Sequence, residues 1–222
     1  MIIREIDFPI YNIIIGISIL IGILYIIISL YNEKLLDKKI IIFFIMFFIF
    51  SILGGKLFTY VSTGFKKSFL DSGLSSYGGL ISVVIASIIY EKIYPTKNKV
   101  IKYTILSLPL IYSFTKIGCS IVGCCHGIAY DGIFNVTYPH RQPFSLFPVQ
   151  PLEVIIFFIL FLYVNTNKNR KDITYITLLS ISIIKYAIEF LRYSETTSIM
   201  NPNQIFSIIL FIITLIFYFR NK

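Results

Sequence analysis

The sequence predicts an all-α polytopic membrane bundle of about seven transmembrane helices with a small extracytoplasmic head, and three observations predict it. Hydrophobic residues make up 56% of the 222-residue chain and charged ones only 14%, for a mean hydropathy of +0.82. The apolar residues gather in seven runs close to the roughly 17–25 residues that cross a bilayer as a helix. Lysine and arginine fall unevenly between the loops of alternate sides. Helices are required because lipid offers no water to satisfy open backbone groups. One integral-membrane domain over 1–222 is expected, with no room for a second, soluble one.

The runs follow in order. Met1 to Arg4 leads into the first, about Tyr11–Leu30, and no small-residue cleavage site follows, so it reads as a first span and not a cleaved signal peptide. The second, Ile40–Val61, carries Gly54-Gly55-Lys56 in its last turns. The third, Gly78–Tyr94, opens on Tyr77-Gly78-Gly79. A glycine pair there offers backbone N–H groups as an anion perch or lets two helices pack closely, and Lys56 is open to the same two readings. The fourth, Tyr103–Gly123, holds Lys116 and dissolves into TKIGCSIVGCCHG over 115–127. The fifth, Pro148–Val164, is short unless its Pro148–Pro151 start is counted, the sixth is Ile173–Tyr193, and the seventh is Gln204–Phe219.

Twelve basic residues (Lys34, Lys38, Lys39, Lys92, Lys97, Lys99, Lys102, Lys168, Arg170, Lys171, Arg220 and Lys222) lie in the loops of one side. Four, Arg4, Lys66, Lys67 and Arg141, lie on the other. The positive-inside bias places the N-terminus outside and the C-terminus in the cytoplasm, which an odd number of spans requires. The segment 126–147, with Gly127, Gly132, Pro139 and Pro143 and no helical period, then forms the outer head. The net charge of +9 follows this membrane pattern and predicts no nucleic-acid partner.

Lys116, Lys185, Glu189 and Arg192 are titratable residues inside apolar runs, where charge is costly and faces a polar cavity or a partner. Lys185 and Glu189 are four apart and Arg192 three further on, so the three share one helix face. That face is either a neutralised network joining helices or a cationic socket for phosphate with Glu189 orienting its cations. Two bases against one acid favour an anionic ligand. Lys116 has no carboxylate near it along its own run and reads as a snorkelling lysine or a second socket cation, with Gly118 and Gly123 allowing close approach. Cys119, Cys124 and Cys125 read as buried packing or as a thiol activated by His126; their spacing matches no zinc pattern, so neither a metal nor a cofactor is expected. His126 and His140 are the only histidines. Together these features suggest a membrane enzyme acting on phospholipid head groups.

The motifs taken together resemble the prolipoprotein diacylglyceryl transferases of bacterial inner membranes. Phe8-Pro9-Ile10-Tyr11 resembles the start of that family's first span, Leu53-Gly54-Gly55-Lys56-Leu57 its G-A-R-L turn, and Ser76-Tyr77-Gly78-Gly79-Leu80 its H-G-G-L segment. Lys116-Ile117-Gly118-Cys119, running on to Gly123 and Gly127, falls where the family has R-I-G-N-F-x-N-G-E-x-x-G. Pro148 to Glu153 resembles P-S-Q-L-Y-E, Lys185 to Arg192 resembles R-I-I-V-E-F-F-R, and Gln204 to Ser207 resembles Q-I-L-S. The family's histidine is Tyr77 here, two polar positions of its signature are Cys119 and Val122 and its acidic position is Cys124, Phe147 replaces the histidine before P-S-Q, and two arginines are Lys116 and Lys185.

The resemblance implies transfer of diacylglycerol from phosphatidylglycerol to the lipobox cysteine of a prolipoprotein, with release of glycerol phosphate. It implies catalytic roles for Tyr77, Lys116, Lys185 and Glu189, and substrate contacts from Tyr11, Lys56, Gly78, Gly79, Gly127, Gln150, Glu153 and Arg192. The implied partners are phosphatidylglycerol, the signal-peptide segment of a prolipoprotein, and membrane lipid, in a bacterial cell membrane. Two alternatives stay open: a paralogous phospholipid-dependent transferase with another acceptor, and a non-enzymatic lipid-binding membrane protein. Carriers tend to show broken helices in paired halves, and the sequence has no such pairing.

Overall fold

A computed structural model describes residues 2–65, 68–70, 73–97, 99–138, 142–193 and 200–220. His140, Pro139 and Arg141 of the predicted head, together with Lys66, Lys67 and Lys222 of the charge count, lie outside the described residues. Seven helices appear: α1 Ile2–Asn32, α2 Ile40–Ser62, α3 Ser76–Ile93, α4 Lys99–Val122, α5 Val149–Thr166, α6 Ile173–Glu189 and α7 Pro202–Arg220. Among the described residues six of them are long and apolar enough to cross a membrane; α6, at 17 residues and interrupted by Lys185 and Glu189, is the short one. The chain is a multi-pass membrane protein of the all-α class, as the sequence predicts.

The chain forms two compact units, Met1–Ser18 with Pro109–Lys222, and Ile19–Leu108. In the second unit α2 and α3 cross at glycines. A Cβ on Gly78 would lie 2.1 Å from the Gly54 carbonyl oxygen, and one on Gly54 would lie 1.7 Å from Ser82 Oγ. Only hydrogen at both positions lets the backbones approach so closely. The start of α4 is capped by Glu91, whose carboxylate accepts the backbone N–H groups of Thr96 (2.8 Å) and Val100 (2.9 Å) and the Thr96 hydroxyl. An acid suits the unbonded N–H groups of a helix start.

In the first unit the apolar and polar residues of each helix sort onto one buried face. On α5 that face is Val149, Gln150, Glu153, Phe157, Leu160 and Val164. Pro151 falls in the first turn of α5, where its missing N–H costs nothing. The start of α7 closes with reciprocal bonds: Gln204 N–H donates to Asn201 Oδ1 (3.0 Å) and Asn201 N–H to Gln204 Oε1 (3.1 Å), with Pro202 at the first helical position.

Between α4 and α5 the chain forms a two-stranded antiparallel hairpin, β1 Val136–Tyr138 and β2 Gln142–Leu146, with Val136 opposite Leu146. The segment before it, 127–130, pairs alongside: Tyr130 N–H bonds the Ser145 carbonyl (3.0 Å) and Phe147 N–H the Ile128 carbonyl (2.9 Å).

Candidate functional site

Three consecutive faces of the first unit bring the buried ions together. Tyr112, Lys116 and Cys119 lie at i, i+4 and i+7 on the buried face of α4. Gln150 and Glu153 lie three apart on α5, and Lys185 and Glu189 four apart on α6. Glu153, only 1% exposed, is the hub. Its Oε2 sits 2.8 Å from Lys116 Nζ, and its Oε1 accepts hydrogen bonds from Arg192 Nη2 (2.7 Å) and the Tyr112 hydroxyl (2.7 Å). Lys185 Nζ donates to the Tyr112 hydroxyl at 3.0 Å. Both ammonium groups also lie over the Tyr112 ring, Lys185 at 4.1 Å and Lys116 at 5.1 Å from its centroid.

The structure supplies a partner for Lys116 and corrects one expectation. Lys116 does have a carboxylate partner, but on α5 and not along its own helix. Arg192 is not on the α6 helix face, because α6 ends at Glu189. Beyond it the backbone turns, with Leu191 N–H bonding the Ile188 carbonyl (2.9 Å), and then joins the head. Ile128 N–H takes the Leu191 carbonyl (3.1 Å) and Tyr193 N–H the His126 carbonyl (3.1 Å), so Arg192 pairs with Gly127 as an isolated bridge. Gly127 makes this approach possible, since a Cβ there would lie 2.4 Å from the Phe147 carbonyl oxygen and 3.1 Å from that of Leu191. Arg192 still reaches back to Glu189, Nη1 to Oε2 at 3.4 Å. Glu189 Oε1 in turn accepts the Asn203 (2.8 Å) and Asn201 (3.2 Å) side-chain amides at the start of α7.

Among the described residues the result is three cations, Lys116, Lys185 and Arg192, against two carboxylates, Glu153 and Glu189. Formal charges among these described residues leave one positive in surplus within a buried interior, where Coulombic attraction for an incoming anion is strong. Arg192 Nε is buried with no hydrogen-bond acceptor among the described residues, and Gln150 Oε1 is buried with no donor. The Gln150 amide is oriented by its Nε2, which donates to the Cys124 carbonyl at 2.8 Å.

The other predicted residues divide between the units. Tyr11 belongs to the first: α1 packs on α4 at Gly118, where a Cβ would meet Ile14 Cγ2 at 3.1 Å and Tyr11 Cδ2 at 3.6 Å. His126 packs against the Tyr193 ring, and its Nδ1 lies 3.2 Å from the Gly127 carbonyl oxygen. Cys119 is buried, Cys124 half-buried and Cys125 exposed, all three as free thiols. Tyr77, Gly78, Gly79 and Lys56 belong to the second unit. There Tyr77 is buried with its ring stacked on Phe58 (centroids 6.1 Å apart), and Gly79 faces the Ser51 carbonyl of α2. Lys56 Nζ donates to the Leu70 carbonyl at 2.6 Å.

Sequence reading missed Tyr112, Asn201 and Asn203, and it took Glu153 only from a motif. Glu153 carried the same signal as Lys116, a charge inside the apolar run VQPLEVIIFF. Tyr112 carried none.

Fold and site together define a multi-pass membrane protein with a buried, cation-rich centre bound to the ends of its helices. The prolipoprotein diacylglyceryl transferase family matches residues 1–220, and the chain belongs to it. The protein of Clostridium perfringens (strain 13 / Type A) named phosphatidylglycerol–prolipoprotein diacylglyceryl transferase 2 is 27% identical over 220 residues. The alignment covers 86% of this chain and 81% of that relative.

Proposed function

We propose that this protein moves a diacylglyceryl group from phosphatidylglycerol to the lipobox cysteine of a prolipoprotein. The observation that carries the reading is the surplus positive charge around Glu153, built from Lys116, Lys185 and Arg192. Family membership and the name of the Clostridium perfringens relative supply the reaction class.

The chemistry suits such a centre. The acceptor thiolate attacks the diacylglycerol carbon that bears the phosphate, an S–C bond forms, and the C–O bond to phosphorus breaks. The phosphodiester carries one negative charge and the departing glycerol phosphate two. Cations fixed beforehand favour that second charge as it develops. In this reading Lys116 and Lys185 hold the phosphate, Arg192 offers its free Nε–H, and Glu153 and Glu189 keep the three cations in place. Tyr11, Gly127 and Gln150 shape the donor site. Tyr77 stands where the family resemblance has its histidine, and Gly78, Gly79 and Lys56 stand at that family's H-G-G-L and G-A-R-L positions. We place the head and the N-terminus on the outer side and the C-terminus in the cytoplasm, from the distribution of lysine and arginine.

Replacement of the family's histidine by Tyr77, of a signature polar residue by Cys119 and of its acidic residue by Cys124 favours a second reading, the same donor with another acceptor. The deciding experiment gives the purified protein labelled phosphatidylglycerol with a lipobox peptide, alone or in a whole-membrane extract. Label on the peptide supports the first reading, label on another acceptor the second, and consumption of donor in neither arm rejects both. Lys116→Ala and Lys185→Ala should each lower turnover about 100-fold, the effect of losing one electrostatic donor. Wild-type rates in both would remove the charged centre from the mechanism.

A further inference from the structure

We propose that Tyr112 is the positioning residue of this centre, the mount that turns two flexible lysines into one fixed anion clamp. The inference rests on the transferase reading above and deepens it. A lysine ammonium is a point charge on a four-carbon stem, without the planar fork by which arginine grips a phosphate or carboxylate at two points. Two such lysines pointing into one interior repel each other and lack a preferred geometry of their own. Tyr112 supplies one.

Its face receives both ammonium groups, at 4.1 and 5.1 Å from the ring centroid. Its hydroxyl is used twice, accepting from Lys185 Nζ at 3.0 Å and donating to Glu153 Oε1 at 2.7 Å. A single phenol thus links Lys185 on α6 to the carboxylate on α5 that pairs with Lys116 and Arg192. The ring itself is held by Phe157, centroids 4.3 Å apart, and Tyr112 is 7% exposed, so the mount has little freedom. Tyr112 lies one helical turn before Lys116, the spacing that lets one α4 side chain brace another.

The test uses Tyr112→Phe, which keeps the ring, its packing on Phe157 and its cation contacts, and deletes only the bridging oxygen. The kcat/KM for phosphatidylglycerol, read at fixed lipobox peptide, should fall at least about 10-fold, since two hydrogen bonds to charged groups are lost. Lys185→Arg should then recover most of that loss, because a guanidinium reaches and orients by its own fork; the same change with Tyr112 intact should give no gain. A purely structural tyrosine predicts no such rescue. Wild-type kcat/KM in Tyr112→Phe, or a Lys185→Arg effect identical in both backgrounds, overturns the proposal. If the wild-type protein transfers no label, the reaction reading fails by itself. The clamp is then judged by retention of labelled phosphatidylglycerol over phosphatidylcholine in nanodiscs. Retention weakened several-fold by Tyr112→Phe and restored by Lys185→Arg sustains the clamp, and equal retention ends it.

Discussion

The two units hold their helices together by opposite means. In one, α2 and α3 meet backbone to backbone where Gly54 and Gly78 leave no side chain between them. In the other, α4, α5 and α6 meet through charge, with Glu153 bonded to Lys116, Arg192 and Tyr112 and Lys185 joined to the same tyrosine. Lipid tails are as apolar as leucine, so burial alone does not drive helices together in a membrane; close packing and polar contacts do. The glycine crossing has no chemistry to offer and tolerates no added volume. The charged crossing can offer chemistry, at the cost of holding each buried ion in a polar contact.

The largest expected effect comes from unpairing. Glu153→Ala leaves Lys116 and Arg192 buried without their shared counter-ion, and breaking a buried pair costs about 3–5 kcal/mol. Thermal unfolding in detergent should show a large fall in midpoint and a poor folded yield. Asp172→Ala serves as control, since the Arg170–Asp172 pair is exposed and such pairs are worth about 0–1 kcal/mol. Equal losses in the two variants would mean that the Glu153 centre is no more than surface charge, and the contrast between units would vanish.

The glycine crossing should respond to volume. Gly78→Ala places a methyl group 2.1 Å from a backbone oxygen that cannot rotate away, and overpacking of this kind costs about 1–3 kcal/mol. Gly16→Ala adds the same methyl in α1, where nothing lies within 4 Å, and should be neutral or slightly stabilising. Unfolding midpoints of the two variants read this directly. A Gly78→Ala protein as stable as Gly16→Ala would show that α2 and α3 can separate without penalty.

These two regions also differ in how far the sequence discloses them. The seven helices were legible because membrane spans declare themselves by length and apolar content, and Lys116, Lys185 and Arg192 because a charge among isoleucines is conspicuous. Pairing was not legible. Glu153 is as conspicuous as Lys116, yet that they meet depends on how α4 and α5 pack. Tyr112 is one of 16 tyrosines, and nothing local separates it from those that face lipid. The end of α6 was misplaced because its period runs on through Arg192, whereas the backbone there is captured by residues 126–128 of the head, a contact between distant segments. Gly78 reads as a glycine that can pack, but that Gly54 is its opposite number depends on how α2 and α3 meet.

The smallest expected effect sharpens the comparison by showing an ion contact without burial. Glu33, just past the end of α1, accepts hydrogen bonds from Lys99 Nζ (2.8 Å) and the Tyr103 hydroxyl (2.6 Å) with its side chain about a third exposed. The Lys99 bond first, and the Tyr103 bond second, hold its carboxyl below the usual carboxylate range. A carboxyl lowered by folding stabilises the protein above its unfolded value, about 4.3, and that contribution disappears as pH falls through the lower folded value. Wild type should therefore unfold at a slightly higher temperature than Glu33→Gln at neutral pH, with the gap closing in acid and shrinking in high salt. A gap that stays constant with pH would assign Glu33 a packing role in place of an electrostatic one. The salt arm bears on the Glu153 centre as well: buried ions are screened far less by added salt, so the loss in Glu153→Ala should persist where the Glu33 effect is screened away.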